Sequence, residues 1–202
     1  MNNISQISNE DLKLNQANTC EAISQEQPIV QPTQLPSITI SRCRNKEDNR
    51  PVNKKLTWEE LQTLLTTFNE TIISKDNAPA FIGGYFDGKG RKYKNLLSRT
   101  ALTLDIDNYN GSISDLEAFI DESLNQYSLA HSTACHSETD ARIRIILFPN
   151  KEISPKDYKN IVTNFMSKYC LTKIADIEAS TTAAKLMYLP IRTSKEYHHG
   201  IR

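Results

Sequence analysis

The chain has 202 residues, with 24 basic and 24 acidic side chains and a formal net charge of zero at pH 7. This length suits one domain of ordinary size, and the balanced charge gives no global electrostatic case for a nucleic-acid partner, so any such case must be local. No apolar run approaches the roughly 20 residues that a membrane span needs, and the polar N-terminus lacks a signal-peptide core, so we expect a cytoplasmic protein without membrane segments.

Residues 1–52 differ in composition from the rest of the chain. They are rich in Asn, Gln, Ser, Ile and Pro and show no sustained hydrophobic period. Such a stretch buries too little apolar surface to offset its ordering entropy. The sequence therefore predicts a mostly disordered polar leader over 1–52, with one short strand at 37–40, followed by a single domain over 53–202.

The domain opens with signals for a small αβ unit. Thr57 and Glu60 form a capping-box pattern, and apolar residues then recur at helical spacing, which predicts a helix over 58–73. A short strand is expected at 80–86. The loop after it packs four cations around two glycines, and it is either a phosphate-binding loop or a solvated turn. These cations are Lys89, Arg91, Lys92 and Lys94.

Two acidic residues stand one position apart in the apolar, β-branched run at 102–107. A strand places residues i and i+2 on the same face, so Asp105 and Asp107 would project side by side where the strand leaves the core. Carboxylate pairs of this kind bind Mg²⁺ or Mn²⁺, and the alternative is a pair of solvated acids at a strand end. The pair is therefore a candidate divalent-metal site.

Residues 100–190 alternate between strand and helix signals. Strands are expected at 102–107, 127–135, 141–148 and 185–189, and helices from Ser112 or Ser114 to Gln126 and from 154 onward. The order is β-α-β-β-α-β, the split βαβ pattern of ferredoxin-like and RNA-recognition-motif folds. The predicted fold class is α+β, with an RRM-like core over about 100–190.

Two further clusters of polar residues follow the acidic pair. His136 ends one predicted strand, and Arg142 and Arg144 share a face of the next, so a hairpin would bring them together near the carboxylates. Imidazole and guanidinium groups beside a metal suit a triphosphate, although His136 alone would also be an ordinary loop residue. A third carboxylate comes from Asp176 or Glu178, with Ser180 and Lys185 as additional phosphate or template contacts.

The order of these motifs resembles the catalytic core of the archaeo-eukaryotic primase superfamily, particularly the primase-polymerases of plasmids, phages and other mobile elements. The matching segments are Leu104-Asp105-Ile106-Asp107, Ala134-Cys135-His136 and Ala175-Asp176, with Arg142-Ile143-Arg144 and Met187-Tyr188-Leu189-Pro190 similar as well. The resemblance covers about residues 78–192.

The resemblance implies a two-metal nucleotidyl transfer that uses NTPs or dNTPs on a single-stranded DNA template. Asp105, Asp107 and Asp176 would bind two Mg²⁺ or Mn²⁺ ions, and Asp176 is preferred to Glu178 on this ground alone. His136, Arg142, Arg144 and Lys185 would contact the nucleotide. The reaction would serve replication of a mobile replicon, alongside a helicase in a separate chain or a downstream domain.

Several features depart from the family pattern or favour another class of protein. The four cysteines are scattered without a CxxC pair, so no zinc module is expected, and no P-loop is present. The chain stops about ten residues after the last expected strand, which suits a stand-alone small primase or a piece of a split or decayed primase-helicase. The main alternative is a non-catalytic single-strand-binding module, whereas a rolling-circle initiator would need a His-x-His pair that this sequence lacks.

Overall fold

A computed structural model describes residues 37–68, 74–109, 111–112, 114–115, 118, 127–137, 140–191 and 200–201. The strands are β1 (Ile38–Cys43), β2 (Val52–Leu56), β3 (Ala80–Ile82), β4 (Gly84–Phe86), β5 (Leu96–Arg99), β6 (Leu102–Tyr109), β7 (Ser128–Ser132), β8 (Ala141–Leu147), β9 (Met187–Tyr188) and β10 (Gly200–Ile201). The labelled helices are α1 (Trp58–Thr66), α2 (Pro155–Lys168) and α3 (Ile177–Thr181). Within these ranges, no helix is long and apolar enough to cross a membrane.

The strands form antiparallel sheets, and together with the helices they make a mixed structure of α-helices and β-strands. The first sheet has the order β2-β1-β3-β9, and the second has the order β10-β7-β8-β6. Strands β4 and β5 form a separate two-stranded ribbon. Side chains alternate between the faces of the second sheet, and apolar clusters cover both. Leu104 and Ile145 pack in one cluster with α2, while Leu129 and Ile146 pack in the other with Leu61 and Leu65 of α1, as the two buried groups show.

The folded region begins earlier than residue 53. β1 lies between β2 and β3, and its Ile40 is fully buried among apolar side chains of α1 and the first sheet. The expected short strand at 37–40 is therefore present and continues to Cys43. The polar composition of residues 1–52 concealed the further extent of this hairpin, because β2 is largely exposed. Residues 1–36, the rest of the predicted leader, lie outside the described residues.

The last predicted strand of the βαββαβ motif does not join the second sheet. It is present as β9, but it pairs with β3 of the first sheet. The free edge of β6, where an RRM-like fourth strand would lie, is instead covered by residues 174–180. Asp107 N donates to Ile174 O at 3.1 Å, and Asp176 N donates to Asp105 O at 2.8 Å. These bonds pair the backbone of β6 at residues 105 and 107, where a fourth strand would otherwise bind.

Two other elements differ in length from the expectation. The capping box of α1 is formed as expected, but the helix ends at Thr66, and residues 69–73 lie outside the described part. The predicted strand 80–86 is interrupted at Gly83, whose carbonyl accepts hydrogen bonds from Thr100 N and Ala101 N. The predicted helix ending at Gln126 lies largely outside the described residues.

A buried cation connects the second sheet to α2. Arg99 is fully buried, and its guanidinium donates to Ala101 O at 2.8 Å, to Ala183 O at 3.0 Å and to the Tyr158 hydroxyl at 2.9 Å. Its Nη2 also donates to the Thr103 hydroxyl at 3.2 Å. The guanidinium carbon lies 4.2 Å from the centroid of the Tyr158 ring. Neutral oxygens and a π face thus solvate this charge.

Candidate functional site

Polar side chains from three neighbouring strands form two rows on one face of the second sheet. Asp105 on β6 is the register partner of Arg144 on β8, which is in turn the partner of His131 on β7. Because side chains alternate between faces, Asp107, Arg142 and Thr133 lie two positions along on the same face. The register of three strands thus places two carboxylates beside two guanidinium groups.

The inner row, formed by Asp105, Arg144 and His131, contains a short ion pair. Arg144 Nε donates to Asp105 Oδ1 at 2.7 Å, and the two side chains are only 7% and 13% exposed. Arg144 Nη1 also donates to Tyr188 O of β9 at 2.8 Å. One guanidinium therefore binds the candidate metal ligand on the second sheet and the edge strand of the first.

The outer row, formed by Asp107, Arg142 and Thr133, is more exposed to solvent, and its ion pair is longer. Arg142 Nη1 lies 3.5 Å from Asp107 Oδ2, while Arg142 Nε lies 2.8 Å from Asp140 Oδ2. The pKa of Asp107 is raised, first by its burial and then by the charge of Asp105, while Arg142 opposes the rise and Asp176 adds to it. Burial is thus the first cause of the raised pKa, and the neighbouring carboxylates of Asp105 and Asp176 add to it.

Asp176 lies beside the acidic pair, and Glu178 points to solvent. The backbone N–H of Asp176 bonds the Asp105 carbonyl, and Asp176 Oδ1 caps α3 by accepting from Ala179 N at 2.9 Å. Glu178 is exposed in the first turn of the same helix. Of the two candidates for the third carboxylate, Asp176 is the one that contacts β6, and it lies outside the residues that line the cleft.

The donor set suits a hard divalent cation, although its present partners are arginines. Oxygen ligands from carboxylates are those that Mg²⁺ and Mn²⁺ prefer, and a cation would offset the repulsion between the Asp105 and Asp107 charges. Across the part of the chain that the structure describes, no three His, Cys, Asp or Glu side chains are already arranged as a metal cage. An ion bound here would either share Asp105 with Arg144 or displace that guanidinium.

The two histidines of this region have different surroundings. His136 lies in the turn between β7 and β8, where it is fully buried, and its Nδ1 accepts from Arg142 N at 3.1 Å. His131 lies on β7 and lines the cleft. Its Nδ1 bonds Ser132 O at 2.8 Å, so Nδ1 carries the proton, and Nε2 has no hydrogen-bond partner among the described residues. Burial lowers the pKa of His131 to about 3.

These side chains line a narrow cleft of about 90 Å³ between the two sheets. Sequence reasoning missed His131, Lys75 and Tyr188 as lining residues, and the ammonium of Lys75 lies 5.6 Å from the centroid of the Tyr188 ring. The strand periodicity offered one signal, because His131 has the same parity on β7 as Thr133. The remaining described residues that line the cleft are Asp105, Asp107, Thr133, Ala134, Cys135, Arg142, Arg144 and Leu189.

The other predicted site residues lie outside this set. Lys185 is exposed, and the Ser180 hydroxyl accepts from Asp105 N at 3.1 Å, which makes it a support for β6. Arg91 joins its loop to the β1–β2 hairpin, because Arg91 Nη2 donates to Lys46 O at 2.8 Å and Arg91 N donates to Asn49 O at 3.0 Å. The exposed cations Lys89, Lys92 and Lys94 therefore flank the hairpin instead of lining the cleft.

Comparison with known proteins gives one family and two solved structures. The family model described as the VapE N-terminal domain matches residues 25–199. The chain is similar to the AEP domain of the primase-polymerase of cyanophage S-2L, with 10% identity, coverage of 82% of this chain and 80% of that one, and a TM-score of 0.46. It is also similar to the polymerase domain of ligase D from Mycobacterium tuberculosis in complex with DNA, with 11% identity, coverage of 77% and 69%, and a TM-score of 0.42. No curated protein sequence matches significantly.

Proposed function

We propose that this chain, which belongs to the VapE N-terminal domain family, performs metal-dependent nucleotidyl transfer of the primase-polymerase type in DNA replication. The observation that carries the proposal is the pair of polar rows, in which Asp105 and Asp107 face Arg144 and Arg142 inside one cleft. Carboxylates beside guanidinium groups suit a metal-bound triphosphate, since each group complements one part of it.

Each side chain has a distinct part in this proposal. Asp105, Asp107 and Asp176 would hold two Mg²⁺ or Mn²⁺ ions, which when bound activate the attacking 3′-hydroxyl and stabilise charge on the transferred phosphate. Arg142 and Arg144 would exchange their present carboxylates for phosphate oxygens and hold the triphosphate bidentately. His136 would act on the nucleotide through the Arg142 backbone that it supports.

The substrates and partners belong to the same proposal. The nucleotide would be an NTP or dNTP, the template would be single-stranded DNA of a mobile replicon, and a helicase would act in a separate chain or domain. The exposed Lys185 would serve the nucleotide only if the segment after α3 moved toward the cleft.

A primer-synthesis assay tests the proposal directly. Purified protein is incubated with a single-stranded template, labelled NTPs or dNTPs, and Mg²⁺ or Mn²⁺. We expect the Asp105→Asn/Asp107→Asn variant to lose at least a hundredfold in product, because the carboxylate charge is removed while side-chain size is kept. Asp157→Asn, an exposed acid on α2, is the matched control and should retain wild-type activity. Equal product from wild type and the double variant would contradict catalysis at this site.

A non-catalytic module that binds single-stranded nucleic acid is the second candidate. The 2.7 Å ion pair between Arg144 and Asp105 favours it, because this pair neutralises a proposed metal ligand without an ion. The two candidates differ in their response to metal. If the site is catalytic, added Mn²⁺ should raise the melting temperature of the wild-type protein and leave that of Asp105→Asn/Asp107→Asn unchanged. If the protein is a module that binds no metal, Mn²⁺ should change the melting temperature of neither.

A further inference from the structure

A second cavity lies on the β1–β2 hairpin, outside the cleft. We call it the basic hairpin groove, and it is lined by Arg42, Arg44, Arg50 and Lys54 around Val52, with Asp48 as a counter-charge. Its volume is about 650 Å³. Because the whole chain has a formal net charge of zero, this concentration of cations is a local feature that needs its own explanation.

Most of these cations are available to a ligand. Arg44 is paired with Asp48, its Nε lying 3.3 Å from Asp48 Oδ2. Arg42, Arg50 and Lys54 are exposed, and no carboxylate within the described ranges forms an ion pair with them. A lysine on an edge strand such as β2 commonly prevents sheet-to-sheet aggregation. Arg42, however, lies on β1 between two strands, where edge protection has no use.

The groove combines a cationic rim with an uncharged floor. Val52 is 55% exposed and is the register partner of Arg42, so an apolar surface lies directly beside a guanidinium. Pro79 adds a second apolar contact. Single-stranded nucleic acid presents the complementary arrangement, with phosphates for the rim and sugars and bases for the floor. No aromatic side chain lines the groove among the described residues, so binding would rest on phosphate contacts, which are independent of sequence.

The groove also adjoins the candidate active site. Lys75 lines the cleft and Pro79 lines the groove, so the segment 75–79 borders both. Asp76, between them, is hydrogen-bonded to Lys46 of the hairpin. On another side, Arg91 fastens the loop carrying Lys89, Lys92 and Lys94 to the same hairpin. Cations therefore extend from the rim of the cleft across the hairpin.

We propose that the basic hairpin groove binds the phosphodiester backbone of a single-stranded nucleic acid and leads that strand past segment 75–79 to the cleft. The binding step stands on the groove alone, whereas the delivery of a template rests on the proposed function. An acidic polypeptide is the alternative ligand, but its binding would not explain why the groove adjoins the cleft.

Salt-dependent binding of a labelled dT20 oligonucleotide, measured by fluorescence anisotropy on the full chain, tests the groove. The variant Arg42→Gln/Arg50→Gln/Lys54→Gln removes three unpaired cations from it. The control Lys151→Gln/Lys156→Gln/Lys159→Gln removes three exposed cations near and on α2 and has the same net charge. We expect the groove variant to bind about tenfold more weakly at 100 mM salt, with a slope of log K against log salt less steep by about 2, because each single-strand phosphate contact contributes about 0.7.

Three outcomes would overturn the proposal. They are equal losses in the groove and control variants, an unchanged affinity in the groove variant, or tighter binding of a labelled poly-glutamate peptide than of dT20. Circular dichroism of each variant verifies that the fold is intact. The proposed catalysis is tested separately, since Asp105→Asn/Asp107→Asn should abolish primer synthesis and leave dT20 affinity within threefold of wild type.

Photo-crosslinking locates the bound strand. A benzophenone side chain is introduced at Val52 in the groove or at Leu97, and both positions are 55% exposed. We expect irradiation to attach dT20 at position 52 at least fivefold more efficiently than at position 97. Equal crosslinking at the two positions would overturn the assignment of the groove.

Discussion

At the scale of single residues, the cleft contains a histidine that is unfavourable to protonate in the folded protein. His131 is buried and its pKa is lowered to about 3, chiefly by desolvation and then by the charge of Arg144. In the unfolded chain the same group titrates at its ordinary value of 6.5. Between these values the unfolded chain binds the additional proton, so stability is complete above pH 6.5 and falls as the pH decreases toward 3.

We therefore predict that acidification destabilises the protein through this residue. Between pH 7 and pH 5, His131 should account for a loss of about 2 kcal/mol in the free energy of unfolding. Urea denaturation at both pH values measures the loss, and His131→Gln should remove most of it. Thr133→Ser, a substitution without a titratable group in the same cleft lining, is the comparison and should leave the pH dependence as in wild type. An identical pH dependence in wild type and His131→Gln would contradict the assignment.

The ion pair of the inner row gives a second prediction. Arg144→Met leaves the Asp105 carboxylate buried without its 2.7 Å partner, which should cost about 3 kcal/mol of stability. Added Mn²⁺ should restore part of that loss, because a divalent ion can replace the guanidinium as the partner of Asp105. Thermal unfolding with and without Mn²⁺ measures both effects. Adding Asp105→Asn to the variant should abolish the rescue, and a rescue that persists would place the ion elsewhere.

At the scale of elements, helix α3 is capped by Asp176, the residue that is also the third proposed metal ligand. Asp176 Oδ1 accepts from Ala179 N at 2.9 Å, and the residue lies beside Asp105. Asp176→Asn preserves the cap and removes the charge, so it should unfold like wild type but lose primer synthesis. Asp176→Ala should lose activity and also about 1 kcal/mol of stability, as expected for a lost cap. Normal activity in the asparagine variant, measured with the template assay, would reduce Asp176 to a structural residue.

Sequence periodicity predicted those elements that local signals define. The capping box at Thr57 and the serine-proline start of α2 are both present, because short-range contacts determine them. The sequence did not predict which sheet β9 joins, because a two-residue strand could pair with an edge of either sheet. The outcome depends on residues 174–180, which already occupy the edge of β6. The pairing of Arg144 with Asp105 likewise depends on inter-strand register, which the amino-acid pattern alone leaves open.

At the scale of the whole molecule, Arg99 connects parts of the chain that are distant in sequence. Its guanidinium donates to oxygens of residues 101, 103, 158 and 183 without a carboxylate partner among the described residues. Arg99→Met should cost about 3 kcal/mol or more, because several buried oxygens lose their donor. Arg50→Met, at an exposed arginine of the hairpin, should change stability by less than about 0.5 kcal/mol. Urea denaturation compares the two, and equal losses would contradict this account of Arg99.

The pairing of β9 with β3 has a consequence for how the protein is made. The first sheet is assembled from residues 38–43, 52–56 and 80–82, and then from 187–188, more than 100 residues later. Such a long-range strand pairing closes slowly, because the intervening chain has to be ordered first. Tyr188 and Leu189 also form one wall of the cleft. During translation, most of the domain therefore leaves the ribosome before the cleft has both walls, and a nascent chain that ends before Leu189 lacks a complete site.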